Sequence, residues 1–291
     1  MTYHVSFPGL GIKDLPISPI AFTVDLFGKH IEVFWYGIII AFAFALCIIL
    51  SLRHARQFDL NPEKLSDIYL LMIPGAIIGA RLYYVAFSWQ DFKDNLLLIF
   101  NTRIGGMAFY GGVIGAVVAI YLMCKIKKIS VVHFLNFAVV YLPLGQAIGR
   151  WGNFFNQEAF GVNTSLPWGM HSEGTAAYLS SLPQVVGHRP DLPVHPTFFY
   201  EFIANILIFA VLLYIRRLDD NRSGTNIFVY FILYGITRFI VEGLRTDPLM
   251  IGDTNIRVSQ FLSVIMILSA IVGLFVQGMR RSKVKDDNEL V

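Results

Sequence analysis

Residues 33–52 read VFWYGIIIAFAFALCIILSL, a stretch of the chain without a single charged side chain. A helix needs roughly twenty apolar residues to cross the hydrocarbon core of a bilayer. Comparable runs recur at about 67–88, 104–124, 131–151, 196–216, 225–243 and 257–277. The expected fold is therefore an all-α integral membrane protein with about seven transmembrane helices. Composition points the same way: of 291 residues, 55% are hydrophobic and only 15% charged, with a mean hydropathy of +0.60. A soluble domain carries nearer a quarter charged residues, because water solvates so apolar a surface poorly.

The net charge of +3 is small and its basic residues are dispersed, which argues against a nucleic-acid partner. Cys47 and Cys124 both sit in or beside apolar runs without CxxC spacing, so neither a metal nor a redox cofactor is expected. The first basic residue is Lys13 and no short apolar stretch follows a basic start, so a cleaved leader is not expected.

Basic residues assign the sides of the membrane. Arg53, Arg56 and Lys64 follow the first span, Lys125, Lys127 and Lys128 the third, and Arg216, Arg217 and Arg222 the fifth. Arg280, Arg281, Lys283 and Lys285 follow the last, while the alternate segments hold only scattered Lys93, Arg103, Arg189 and Arg257. The positive-inside rule then puts the N-terminus outside and the C-terminus in the cytoplasm. Residues 152–195 become a small extracytoplasmic cap, with Trp168 and Tyr178 as interfacial anchors. The chain 1–291 otherwise reads as a single membrane-embedded domain without internal repeats. Glycines crowd between Gly105 and Gly115, which predicts a partly non-helical stretch or very close helix contact.

The informative positions are ionisable groups where lipid should be. Arg81, Arg150 and Arg238 fall within spans or at their outer ends, at about 2.5–3.5 kcal/mol each if central. On the sixth span Tyr234, Arg238, Glu242 and Arg245 share one helical face, with Arg238 and Glu242 paired at i, i+4. That face holds two arginines for one glutamate. The surplus charge predicts an anionic ligand, and a phospholipid phosphate suits the planar guanidinium fork.

The densest segment runs GRWGNFFNQEAFG from Gly149 to Gly161, with Arg150, Asn153, Asn156 and Glu158 at the outer end of a helix. It resembles the signature of the prolipoprotein diacylglyceryl transferase family, matched at Gly149, Arg150, Gly152, Asn153, Phe154, Asn156, Glu158 and Gly161. Trp35-Tyr36-Gly37, Gly79-Ala80-Arg81, Tyr110-Gly111-Gly112, His195-Pro196, Tyr200-Glu201, Tyr234-Gly235, Val241-Glu242 and Pro248 agree in order.

The resemblance implies a bacterial inner-membrane enzyme. It would move the diacylglyceryl group of phosphatidylglycerol to the lipobox cysteine of a preprolipoprotein signal peptide, releasing glycerol-1-phosphate without a cofactor or metal. It makes Arg150, Arg238 and the residue at position 110, Tyr110, catalytic, and assigns Arg150 again, with Tyr36, Asn153, Asn156, Glu158, Gly161, Tyr234 and Glu242, to substrate binding. Arg81, Glu201 and Arg245 become supporting residues, as ion pairs or orienting groups. One departure stands out: many members carry histidine before the Gly-Gly of the third span, proposed there as the base, and here the position is Tyr110. Tyr110 is expected to act through its hydroxyl. The thiol is then expected to lose its proton because arginines lower its pKa, or with help from Glu158 or Glu242, with His195 a further candidate. A lipid flippase would show inverted repeats, and an intramembrane protease a Ser/His pair, paired aspartates or HExxH; none stands in this sequence.

Overall fold

The computed structural model describes residues 2–26, 28–101, 105–182, 188–218, 223–252 and 254–289. Arg103 and Arg222, used above for sidedness, lie outside these residues, as does position 104. Among the described residues, seven helical segments are long and apolar enough to cross a membrane: Trp35–Phe58, Pro62–Phe87, Phe109–Lys127, Val131–Asn156, Thr197–Leu218, Thr225–Leu244 and Val258–Arg280. They match the seven expected runs, and the protein is a multi-pass membrane protein. Large apolar side chains face outward along them, including Leu70 at 68% exposed and Phe275 at 67%. A water-soluble surface does not carry so much contiguous apolar area.

The helices are α1 (Trp35–His54), α2 (Pro62–Phe87), α3 (Phe109–Lys127), α4 (Val131–Ala138), α5 (Leu142–Asn156), α6 (Glu173–Ser181), α7 (Thr197–Leu218), α8 (Thr225–Leu244) and α9 (Val258–Glu289). Local chemistry moves some boundaries from those expected. The Asn61 side chain accepts hydrogen bonds from the amides of Glu63 and Lys64, and Pro62 takes the first helical position, so α2 starts five residues early. Gly105 and Gly106 have φ of 83° and 81°, which no helix tolerates, so α3 begins only at Phe109. The fourth span is two helices, with a 3-10 turn at Val139–Tyr141 before the first turn of α5, where Pro143 lacks no needed hydrogen bond.

The chain gathers into two compact units, one from Met1–Cys47, Val139–Asp220 and Thr225–Val291, the other from Ile48–Ala138 and Asn221–Gly224. In the second unit α2 and α3 pack backbone to backbone. A Cβ placed on Gly79 would stand 2.4 Å from the Gly111 carbonyl oxygen, and one on Gly115 2.2 Å from that of Gly75.

The first unit carries strands that hydropathy did not announce. β1 (Tyr3–Phe7) pairs antiparallel with β2 (Ile12–Ile17) and with the two-residue β5 (His171–Ser172), in the order β2-β1-β5. A second hairpin joins β3 (Ile20–Leu26) to β4 (Lys29–Phe34), pairing Thr23 with Glu32, and Gly28 at φ 74° helps it turn. Val5, Ile17, Phe154, Phe160, Met170, Leu179, Val194 and Phe198 form one buried cluster. This apolar core fixes the sheet and α6 to the end of α5 and the start of α7.

The glycine contact is directly testable. Gly79→Ala forces two backbones apart, with an expected loss of about 1–3 kcal/mol. Thermal unfolding in detergent reads it, and an unchanged midpoint would refute the close α2–α3 approach.

Candidate active site

Three helices of the first unit bring Arg150 and Arg238 together. Four residues into α7, Glu201 is 1% exposed, and its Oε1 accepts from Arg150 Nη2 on α5 at 2.7 Å and from Arg238 Nη1 on α8 at 3.2 Å. Arg238 turns its other terminal nitrogen to Glu242 Oε2 at 2.6 Å and to the Ser259 hydroxyl at 3.3 Å. Tyr234, one turn before Arg238, presents its hydroxyl to Arg150.

The signature then extends this cluster outward. Arg150 Nη1 reaches Asn153 Oδ1 at 3.4 Å, and Asn153 Nδ2 donates to Glu158 Oε1 at 2.9 Å. Asn156 Nδ2 meets the same oxygen at 3.4 Å. Glu158 itself is exposed, whereas Glu201 and Glu242 are buried.

Glycines set the distances between backbones. A Cβ on Gly152 would lie 2.3 Å from the Tyr36 ring, on Gly149 3.2 Å from Ile40, and on Gly145 3.3 Å from the Cys47 sulfur. These residues, spaced four and three apart, give α5 a bare face along which the first half of α1 lies, and Tyr36 rests flat on that face. Gly161 sits where three segments meet: its amide donates to the His195 carbonyl at 2.9 Å, and the next amide, of Val162, to that of Leu244 at 2.7 Å. A side chain there would strike His195, Leu244 and Thr197.

Other expected residues take different places. Arg245 makes a bidentate pair with Asp247, at 2.8 and 2.6 Å. Arg257, which the sequence marks only as a scattered basic residue, donates to the carbonyls of Glu242 and Arg245 and so closes the end of α8. His195 Nδ1 lies 3.0 Å from the Tyr200 hydroxyl, which also accepts from Trp168 Nε1 at 2.8 Å. Burial holds the His195 imidazole below its ordinary range, so the ring is neutral at neutral pH.

Two expected residues belong to the second unit. Arg81 is buried and donates to five backbone carbonyls, those of Leu98, Ile99, Asn101, Gly105 and Gly106, at 2.5 to 3.1 Å, with Phe92 beneath its guanidinium. Among the described residues its compensation is a shell of backbone carbonyls. Tyr110 stands exposed in the first turn of α3.

The surplus positive charge expected on the α8 face is a correction. Asp247 matches Arg245, and Glu201 with Glu242 matches Arg238 and Arg150, so the inner cluster holds two guanidiniums and two carboxylates. Each guanidinium has five N–H donors, more than these partners engage among the described residues, and Arg150 and Arg238 remain 19% and 17% exposed. Glu201, ranked only as supporting from sequence, is the hub. The signal for it was present, because a carboxylate inside an apolar span needs a cation and two arginines were already known to need anions.

A family model described as prolipoprotein diacylglyceryl transferase matches residues 19–276. A phosphatidylglycerol–prolipoprotein diacylglyceryl transferase from Finegoldia magna is 40% identical over 253 residues, covering 87% of this chain and 93% of its own. Proteins of the same name from Clostridium botulinum and Clostridioides difficile are 38% and 40% identical, covering 89% and 87% of this chain and 96% and 92% of theirs.

Loss of the hub gives a sharp expectation. Glu201→Ala strands two guanidiniums in a buried site and should cost about 3–5 kcal/mol. Unfolding of the detergent-solubilised variant measures this, and a loss under about 1 kcal/mol would mean the arginines are solvated rather than paired.

Proposed function

The chain belongs to the prolipoprotein diacylglyceryl transferase family, and from that premise we propose how its residues divide the work. The enzyme transfers the diacylglyceryl group of phosphatidylglycerol to the cysteine thiol of a prolipoprotein, forming a thioether and releasing glycerol-1-phosphate. The observation that carries the assignment of roles is the meeting of Arg150 and Arg238 on one buried carboxylate, Glu201.

The lipid phosphate docks on the free donors of Arg150 and Arg238. The cysteine thiolate attacks the sn-3 carbon, a C–S bond forms as the C–O bond to phosphate breaks, and the electron pair leaves on the phosphate oxygen. Negative charge grows on the phosphate during this step, and fixed guanidinium donors stabilise it where little water competes. Because the cluster is neutral beforehand, its donors are already aligned and need no rearrangement when charge appears.

The thiol proton goes to Glu158. Of the two candidate carboxylates, Glu158 is exposed and bound by the amides of Asn153 and Asn156, whereas Glu242 is buried and occupied by Arg238. A neutral His195, already hydrogen-bonded to the Tyr200 hydroxyl, is the less suitable acceptor. Tyr36, Asn153, Asn156 and Tyr234 hold the lipid head and the signature turn in place, while Gly161 keeps that turn close. Tyr110 contributes a hydroxyl that orients phosphate or thiol. Arg245 keeps the end of α8 in place, and Arg81 orders the segment that leads into α3.

The peptide partner is the lipobox region of a preprolipoprotein signal peptide. The enzyme lies in the bacterial cytoplasmic membrane with its N-terminus and the 152–195 segment outside, as the lysine and arginine distribution supports.

Membranes given labelled phosphatidylglycerol and a lipobox peptide test these roles. Arg150→Ala should lower transfer by about 10²–10³-fold or more while the protein still inserts; transfer near the parental rate removes Arg150 from the chemistry. Tyr110→Phe should lose about tenfold, as befits one neutral hydrogen bond. Full activity in that variant would show that the hydroxyl is idle.

A further inference from the structure

The residues on either side of Glu158 both hold left-handed backbone: Gln157 at φ 53° and Ala159 at φ 58°. Neither is glycine, although side chains with a Cβ avoid this region. A strained glutamine calls for a compensating interaction, and Gln157 has two. Its Oε1 accepts from the Ser172 hydroxyl at 2.6 Å, and its Nε2 donates to the Phe154 carbonyl at 2.6 Å.

Ser172 is no ordinary surface hydroxyl. It is the N-cap of α6, where Thr175 N donates to its Oγ at 3.1 Å and its own amide donates to Thr175 Oγ1 at 3.0 Å. Gln157, Ser172 and Thr175 are all at most 5% exposed. The backbone of Gly174 passes so near that a Cβ there would stand 2.8 Å from the Cβ of Gln157. α6 is in turn held by Glu173, which accepts from the His4 amide at 2.5 Å and faces its ring at 2.8 Å. On the far side of the turn, the Thr197 hydroxyl donates to the Ala159 carbonyl.

We propose that Gln157, locked by Ser172 at the N-cap of α6, is a positioning residue that sets the Glu158 carboxylate against Asn153. Residues 171–175 thus act as a rigid abutment for the turn that carries Glu158. A glycine at 157 would give the same left-handed backbone without strain and without the abutment. Asparagine would suit the backbone, but its amide falls one methylene short. This inference rests on Glu158 being the thiol's proton acceptor.

The test uses the full chain in vesicles of phosphatidylglycerol and phosphatidylcholine with a synthetic lipobox peptide. It compares Glu158→Gln, Gln157→Gly, Ser172→Ala and the last two combined. Glu158→Gln should lower kcat about a hundredfold or more, as loss of a general base does. Gln157→Gly and Ser172→Ala should each lower kcat about tenfold with KM for the lipid little changed, and the pair together no further, because both remove the shared Gln157–Ser172 bond. Gln157→Gly should unfold no earlier than the parent, since glycine relieves the left-handed strain.

Parental kcat in Gln157→Gly beside an inactive Glu158→Gln overturns the positioning role and leaves Glu158 as the base. Parental kcat in Glu158→Gln overturns the base assignment, and this inference with it. Activity losses that merely track unfolding temperature, or that multiply in the double variant, also overturn it. Should Ser172→Ala fail to fold, Gln157→Gly alone decides.

Discussion

Two guanidiniums at one depth of a membrane protein repel each other, and Glu201 is what lets α5 and α8 present theirs side by side. Its carboxylate is almost wholly buried and bonded by both arginines through one oxygen. In a medium of low dielectric the attraction across these contacts is strong, but so is the penalty for desolvating each ion. The arrangement is therefore weak evidence of stability and stronger evidence of purpose. A core that needed only to fold would be served as well by apolar side chains.

In the proposed reaction the same cluster shapes how charge develops during transfer. Before lipid binds, the carboxylates balance the arginines, so the bundle encloses no net charge among these four groups. A phosphodiester brings one negative charge and meets donors that are already directed. As the ester bond breaks, a second charge gathers on the departing phosphate, and the arginines respond more strongly to that state than to the bound lipid. Interactions that strengthen on the way to the transition state are the ones that accelerate chemistry. The bare face of α5 serves this end mechanically, because Gly145, Gly149 and Gly152 let α1 lie close and leave Tyr36 against the helix that carries Arg150.

Much of the fold is legible from hydropathy alone, since a bilayer enforces helix length more strictly than water does. The seven spans follow from that constraint. Their ends do not, because ends are set by cap chemistry at Asn61-Pro62 and by the positive φ of Gly105 and Gly106. The strands of the N-terminal arm went unseen because they are short, largely exposed and outside the apolar runs. At the site, the arginines were legible because charge within lipid is expensive. Their partners were only partly so. Glu201 and Asp247 come from positions that no spacing rule ties to Arg238 or Arg245, and the surplus charge read on α8 disappears once they are counted. Arg81 shows the limit most clearly, for its ligands are backbone carbonyls, which every residue possesses and no sequence pattern marks. The resemblance to the family supplied roles that physics alone left open between ion pairing and catalysis.

Tyr110 bears on how the thiol loses its proton. At neutral pH a histidine can accept a proton, whereas a tyrosine phenol ordinarily keeps its own. What the two side chains share is the capacity to donate and accept hydrogen bonds. If the same reaction proceeds with either residue before the Gly-Gly of α3, the position serves polar contact rather than proton abstraction. A free thiol titrates near 8.5, so a few per cent is already ionised at neutral pH, and a modest electrostatic bias suffices to raise that fraction. In the roles proposed above, the guanidiniums of Arg150 and Arg238 supply the bias, and the exposed carboxylate of Glu158 supplies the acceptor. The demand on the base is thus small, and the demand on its placement large, which is why a carboxylate clamped by two amides, flanked by left-handed residues and braced from outside the membrane suits the task better than a stronger base free to move.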